Sequence, residues 1–131
     1  MALKKILTKL FFGLSVGGAS TLSSVAFADL TDKKPGDVIF IDVRTPSEFQ
    51  QGHIPGSLNI DLYDSSFLKR LGGLDREKTY KLYCRSGARS GQALSIMRTL
   101  GFLRAENIGG FRQASRYASQ LFEALPQLRA E

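Results

Sequence analysis

Thr79-Tyr80-Lys81-Leu82-Tyr83-Cys84-Arg85-Ser86-Gly87-Ala88-Arg89-Ser90 passes from one periodicity into another. Its first six residues alternate at period two and are rich in β-formers, which reads as a strand. A short turn containing glycine follows. Ala93, Ile96, Met97 and Leu100 then recur at i, i+3, i+4 and i+7, which predicts a helix from about Ser90 that Gly101 stops. A strand leading at once into a helix is the building unit of an α/β domain with a mainly parallel sheet.

The flanking sequence repeats the unit. Upstream, Val38-Ile39-Phe40-Ile41 is an apolar, β-branched run of the kind buried on both faces of a sheet. Thr45-Pro46-Ser47-Glu48 supplies an N-cap residue, a proline at the first helical position and an acid in the first turn, so a short helix starts there. Ser57-Leu58-Asn59-Ile60 reads as a short strand after Pro55-Gly56. Ser65 to Leu71 reads as a helix ended by Gly72-Gly73. Downstream, Ala105 to Ile108 is a last, weak strand before Gly109-Gly110. Ala114, Ala118, Leu121, Phe122 and Leu125 form one face of a final helix.

The 131 residues favour one domain, and 43% hydrophobic with 23% charged residues excludes a disordered chain and a multi-span membrane protein. One cysteine excludes an intrachain disulfide framework and, with one histidine, all but excludes a Cys/His metal site. The net charge of +6 is a poor nucleic-acid signal. All 12 acidic residues lie at or after Asp29, and Lys4, Lys5 and Lys9 in front of them supply half of the excess.

Residues 1–28 read as a secretory signal peptide. Three lysines precede the apolar run Leu10 to Gly18, and a small, hydroxylated stretch ends in Ala26-Phe27-Ala28. Cleavage is expected after Ala28, giving a periplasmic or secreted chain of residues 29–131 with no stable membrane insertion. Gly17, Gly18 and the following serines and threonine interrupt what a spanning helix would need.

The chemistry is expected at Cys84. Ligand sites in parallel sheets lie at the carboxyl ends of strands, and Cys84 is placed at one, facing a helix start. The unpaired N–H groups and positive dipole end of that helix, with Arg85 and Arg89 nearby, should lower the thiol pKa and make a thiolate nucleophile. Gly87 permits a positive φ, so successive backbone N–H groups can curl into an anion-binding nest. Ser90 is placed to cap the helix. A lone cysteine is often a small core hydrophobe; two arginines and a tight turn beside it argue for a used thiol.

Four ordered motifs resemble those of the rhodanese (thiosulfate sulfurtransferase) family: Asp42-Val43-Arg44 with Glu48-Phe49, Gly52-His53-Ile54-Pro55-Gly56-Ser57, Cys84 to Ser90, and Glu106-Asn107-Ile108-Gly109-Gly110. The likeness spans about residues 37–125 and, with the export signal, is greatest to the small periplasmic rhodaneses of bacteria. It implies a rhodanese-like α/β fold with helices on both faces of the sheet. It also implies that Cys84 accepts sulfur as a persulfide, and that Arg85, Ser86, Gly87, Ala88, Arg89 and Ser90 cradle the substrate anion. Asp42, Arg44, Glu48 and His53 match positions of structural support, with Arg44 and Glu48 paired four residues apart. The implied partners are a small anionic sulfur donor such as thiosulfate, a cyanide or thiol acceptor, and as a further option a protein acceptor. Neither cofactor nor metal is implied. Two departures stand out: little chain precedes the first strand, and Phe111 stands near the family's usual tryptophan.

Related phosphatases and arsenate reductases also use a Cys loop ending in Arg. Their loops hold five intervening residues, against four between Cys84 and Arg89 here, and this chain offers no nearby general acid. The fold also serves as a non-catalytic binding module, but such modules usually lack the cysteine.

Overall fold

The computed structural model describes residues 27–129. Four strands form one sheet in the order β2-β1-β3-β4, every pair parallel: β1 (Val38–Asp42), β2 (Leu58–Asn59), β3 (Thr79–Cys84) and β4 (Ala105–Gly110). The helices are α1 (Pro46–Gln50), α2 (Phe67–Gly72), α3 (Ala88–Thr99) and α4 (Phe111–Ala124). The expected α/β class, parallel sheet and strand–helix alternation are all present. Ahead of β1, the described residues hold one 3-10 turn, Ala28–Leu30.

Period-two alternation sends the strand side chains into two cores. Ile41, Tyr80, Leu82 and Cys84 pack with Phe67 and Leu71 of α2 and Ala93 and Met97 of α3. Phe40 and Tyr83 face the other way, against Ala114, Ala118 and Leu121 of α4. Lys81 also points to that second face. Its Nζ reaches Glu106 Oε1 at 2.6 Å and lies 5.4 Å from the Tyr117 ring centre, so a buried stem carries a paired charge.

The helix starts follow local chemistry. Thr45 caps α1 as expected: its Oγ1 accepts from the Glu48 N–H at 3.3 Å, and Glu48 Oε2 accepts from the Thr45 N–H at 3.0 Å. α3 begins two residues earlier than its apolar spacing suggests. Gly87, at φ +101°, is its N-cap, so Ser90 lies inside the first turn and does not cap it.

At the end of β1 the chain buries a charge pair. Asp42 has no exposed surface and Arg44 is 6% exposed. The guanidinium donates from Nε to Asp42 Oδ1 at 2.9 Å, from Nη2 to Oδ2 at 2.6 Å, and from Nη2 to the Gly52 carbonyl at 2.7 Å. It lies 4.6 Å from the ring centre of Phe111. The expected Arg44–Glu48 pair does not form. Arg44 precedes the N-cap, so the two side chains never share a helical face.

Of the expected leader, the basic and apolar segments lie outside the described residues. Phe27 is 3% exposed and packs edge-on against Tyr117 at 5.3 Å. No helix among the described residues is long and apolar enough to cross a membrane.

Removing one partner of the buried pair leaves the other charge without compensation. Arg44→Met should lower the unfolding free energy by about 3–5 kcal/mol, read from the urea midpoint and slope.

Candidate active site

β3 delivers Cys84 to the carboxyl end of the sheet, and Gly87 starts α3 three residues later. Cys84 itself is fully buried, while Arg85, Ser86 and Ala88 are exposed. The thiol is therefore the floor of a loop whose rim meets solvent. The Gly87 N–H donates to Sγ at 2.9 Å, and the Ser90 hydroxyl lies 3.4 Å from Sγ. Burial pushes the thiol pKa up, but hydrogen bonds from the Ser90 hydroxyl and the backbone N–H groups of Ser90, Gly87 and Ser86 outweigh it. The net direction is down. Backbone dipoles and one hydroxyl thus do most of what the two arginines were expected to do.

The arginines have separate roles. Arg89 turns to Glu48, Nη1 to Oε2 at 2.9 Å and Nη2 to Oε1 at 3.0 Å, a two-pronged pair joining the first turn of α3 to α1. Arg89 can add backbone N–H to the cradle, but its guanidinium is already engaged. Arg85 has no ion-pair or hydrogen-bond partner among the described residues and stands exposed at the rim. With Arg44, Glu48, Gln51, Gly52 and Phe111 it lines a cleft of about 380 Å³.

His53 is not a partner of the thiol. Its Nδ1 contacts the Phe49 carbonyl at 2.8 Å and its ring stacks on Phe49 at 3.6 Å. Asp42 and Arg44 stay in the buried pair. Tyr83, behind the loop, accepts the Ile54 N–H at 3.0 Å and contacts Ser57 Oγ at 3.1 Å. Burial drives its phenol up to about 12, so it stays neutral.

The residues missed from sequence come from β4. Asn107 Nδ2 donates to the Gly87 carbonyl at 3.1 Å, and its Oδ1 accepts the Gly109 N–H at 3.0 Å. Gly110 passes so close that a Cβ there would collide with the Arg85 carbonyl, and Gly109 holds φ +95°. β4 carries one extra residue here, since Leu82 faces Asn107 but Cys84 faces Gly110. The sequence signal was the motif Glu106 to Gly110, to which no part at the Cys84 loop was assigned.

Comparison with known proteins agrees with this geometry. The family model described as Rhodanese-like domain matches residues 26–116. The chain is 38% identical over 73 residues to the thiosulfate sulfurtransferase PspE of Escherichia coli, covering 56% of this chain and 70% of that one. It is 36% identical over 74 residues to a sulfurtransferase of Allochromatium vinosum, covering 56% and 67%. Among solved structures it resembles an E. coli rhodanese with anions, at 37% identity and a TM-score of 0.52, covering 58% and 89%.

The Glu48 carboxyl is held down at about 2 from an ordinary 4.5, chiefly by Arg89. A lowered acid stabilises the fold above its unfolded pKa and loses that contribution as pH falls through the folded one. The wild type should therefore exceed Glu48→Gln by on the order of 1–2 kcal/mol at neutral pH, allowing for solvent screening. Urea midpoints should show that advantage shrinking below about pH 4.5 and gone near pH 2.

Proposed function

Because the chain belongs to the rhodanese family, we propose that it is a sulfurtransferase working through a Cys84 persulfide, with thiosulfate or a related anion as donor. The observation that carries the reading is the pairing of a buried, backbone-solvated Cys84 sulfur with an exposed Arg85 that has no partner among the described residues, at the rim above it. The thiolate attacks the outer sulfur of thiosulfate. A Cys84 S–S bond forms, the donor's S–S bond breaks, and sulfite departs with the electron pair. The negative charge then rests on the outer persulfide sulfur, where the loop N–H groups and the start of α3 stabilise it. Cyanide or a thiolate takes that sulfur by the same displacement, and Cys84 leaves as thiolate. The cleft beside Arg85 exceeds what thiosulfate fills, which supports entry of a larger thiol acceptor from that side.

Mass spectrometry tests the reading directly, since the chain has a single cysteine. Thiosulfate should add about 32 Da, one sulfur atom, and cyanide or a thiol should remove it, as expected of a reversible cap. Cys84→Ser should gain nothing and lose transfer, because a hydroxyl is not ionised here. Arg85→Ala should raise the KM for thiosulfate about tenfold with kcat little changed, the pattern of lost uniform binding. A wild type that never gains the sulfur mass overturns the proposal.

We also infer export, with signal cleavage between Ser24 and Asp29. A cut after Ala28 would remove Phe27, whose ring fills a place in the α4-side core; one after Ala26 would keep it, and Ser24 and Ala26 also satisfy the small-residue requirement. The burial of Phe27 favours the latter. The intact mass of the exported protein should match residues 27–131; a mass matching 29–131 would restore the cut after Ala28.

A further inference from the structure

The Ser90 hydroxyl has one proton and two claimants. Its Oγ lies 2.7 Å from Asn107 Oδ1 and 3.4 Å from Cys84 Sγ. The Asn107 amide cannot turn to offer its NH2 instead. Its nitrogen already donates to the Gly87 carbonyl and its oxygen already accepts the Gly109 N–H, so two backbone groups fix which end faces Ser90. At 2.7 Å between two oxygens, the proton between them can only come from Ser90. With that proton on Asn107, Ser90 presents a lone pair to the sulfur. That arrangement suits a thiol, whose S–H can donate to Oγ. A thiolate needs the opposite arrangement, with the hydroxyl turned toward Sγ.

We propose that Asn107 is a positioning residue for sulfur transfer, competing with Cys84 for the Ser90 proton and so setting how readily Cys84 ionises. This rests on the reading of Cys84 as the sulfur-accepting thiolate. In the resting thiol, the order is Cys84 S–H to Ser90 Oγ, then Ser90 O–H to Asn107 Oδ1. On ionisation the thiol proton goes to solvent, and the Ser90 hydroxyl swings from Asn107 to Sγ. Once sulfur is loaded, the charge moves to the outer atom and Sγ no longer holds the hydroxyl. Ser90 then returns to Asn107. The same amide anchors the loop through Gly87 and Gly109, so loop shape and proton position are set by one side chain.

The charged groups around the thiol are few. α3 presents Arg89, which is tied to Glu48 of α1; the loop presents Arg85; β1 presents Asp42, closed by Arg44; and β4 presents Glu106, paired with Lys81 on the other face. None of these is altered in the variants below.

The test is the pH dependence of Cys84 alkylation by iodoacetamide, which reads the thiolate without any sulfur donor. Asn107→Leu frees the Ser90 proton, so the midpoint should fall by about one pH unit, the scale of one hydrogen bond to a charged group. Asn107→Asp binds the proton more strongly and adds a like charge, so the midpoint should rise. In a Ser90→Ala background the effect of Asn107→Leu should vanish, and that of Asn107→Asp should shrink by half or more. Asn107→Leu also strips the loop of its amide; if it does not fold, the Asn107→Asp comparison in the two backgrounds decides alone. An unchanged or raised midpoint in Asn107→Leu, or equal effects in both backgrounds, would overturn the proposal. Sulfur loading from thiosulfate, followed by mass in the same proteins, tests the sulfurtransferase reading separately.

Discussion

The Asp42 side chain has no exposed surface, and the way Arg44 closes it organises the chain beyond the end of β1. Arg44 closes it with a two-pronged contact and uses the rest of its guanidinium on the Gly52 carbonyl and the Phe111 ring. Such a pair contributes little net stability against an apolar replacement, but it tolerates only one geometry. That geometry ties the end of β1, the turn at Gly52 and the start of α4 into one unit. α1 begins directly after it, at the Thr45 cap. From there Glu48 reaches across to Arg89 and holds the first turn of α3. Two ion pairs in series thus carry order from the middle of the sheet to the loop around the sulfur.

The thiol environment follows from the same economy of parts. An exposed cysteine would be solvated by water and held near its ordinary pKa; a buried one without donors would be pushed up. Cys84 is buried yet lowered, because the donors are fixed backbone N–H groups and one hydroxyl. The backbone donors are oriented by folding and need no rearrangement when the charge appears; the Ser90 hydroxyl alone has to turn. The side-chain cations are thereby released for other work: Arg89 for the scaffold, and Arg85 for the rim, where the proposed function puts the incoming anion.

Much of this was legible in the sequence, and the limits have physical causes. The period-two alternation of β3 and the Thr45-Pro46-Ser47-Glu48 start are local signals, and both appear in the structure where the spacing placed them. Gly87 was correctly read as a positive-φ position, but its role as N-cap moved the helix start forward and displaced Ser90 from capping. The Arg44–Glu48 pairing failed because four-residue spacing means contact only inside a helix, and Arg44 lies before one. Asn107 and Gly110 were out of reach for a different reason. They meet the loop only through the register of two parallel strands about 25 residues apart in sequence, including an extra residue in β4, and no local pattern encodes that register.

The depth of the sulfur also bears on what the protein can be joined to. A bond between the cysteines of two copies requires their Cα atoms to come within about 7 Å. Cys84 lies beneath Arg85, Ser86 and Ala88, which two folded chains would press together first. Under the proposed chemistry only a small dianion has to pass that rim, and the outer sulfur of a loaded Cys84 would stand about 2 Å farther out. The fold therefore keeps its one thiol out of covalent dimers while, under the proposed chemistry, leaving the transferred sulfur within reach.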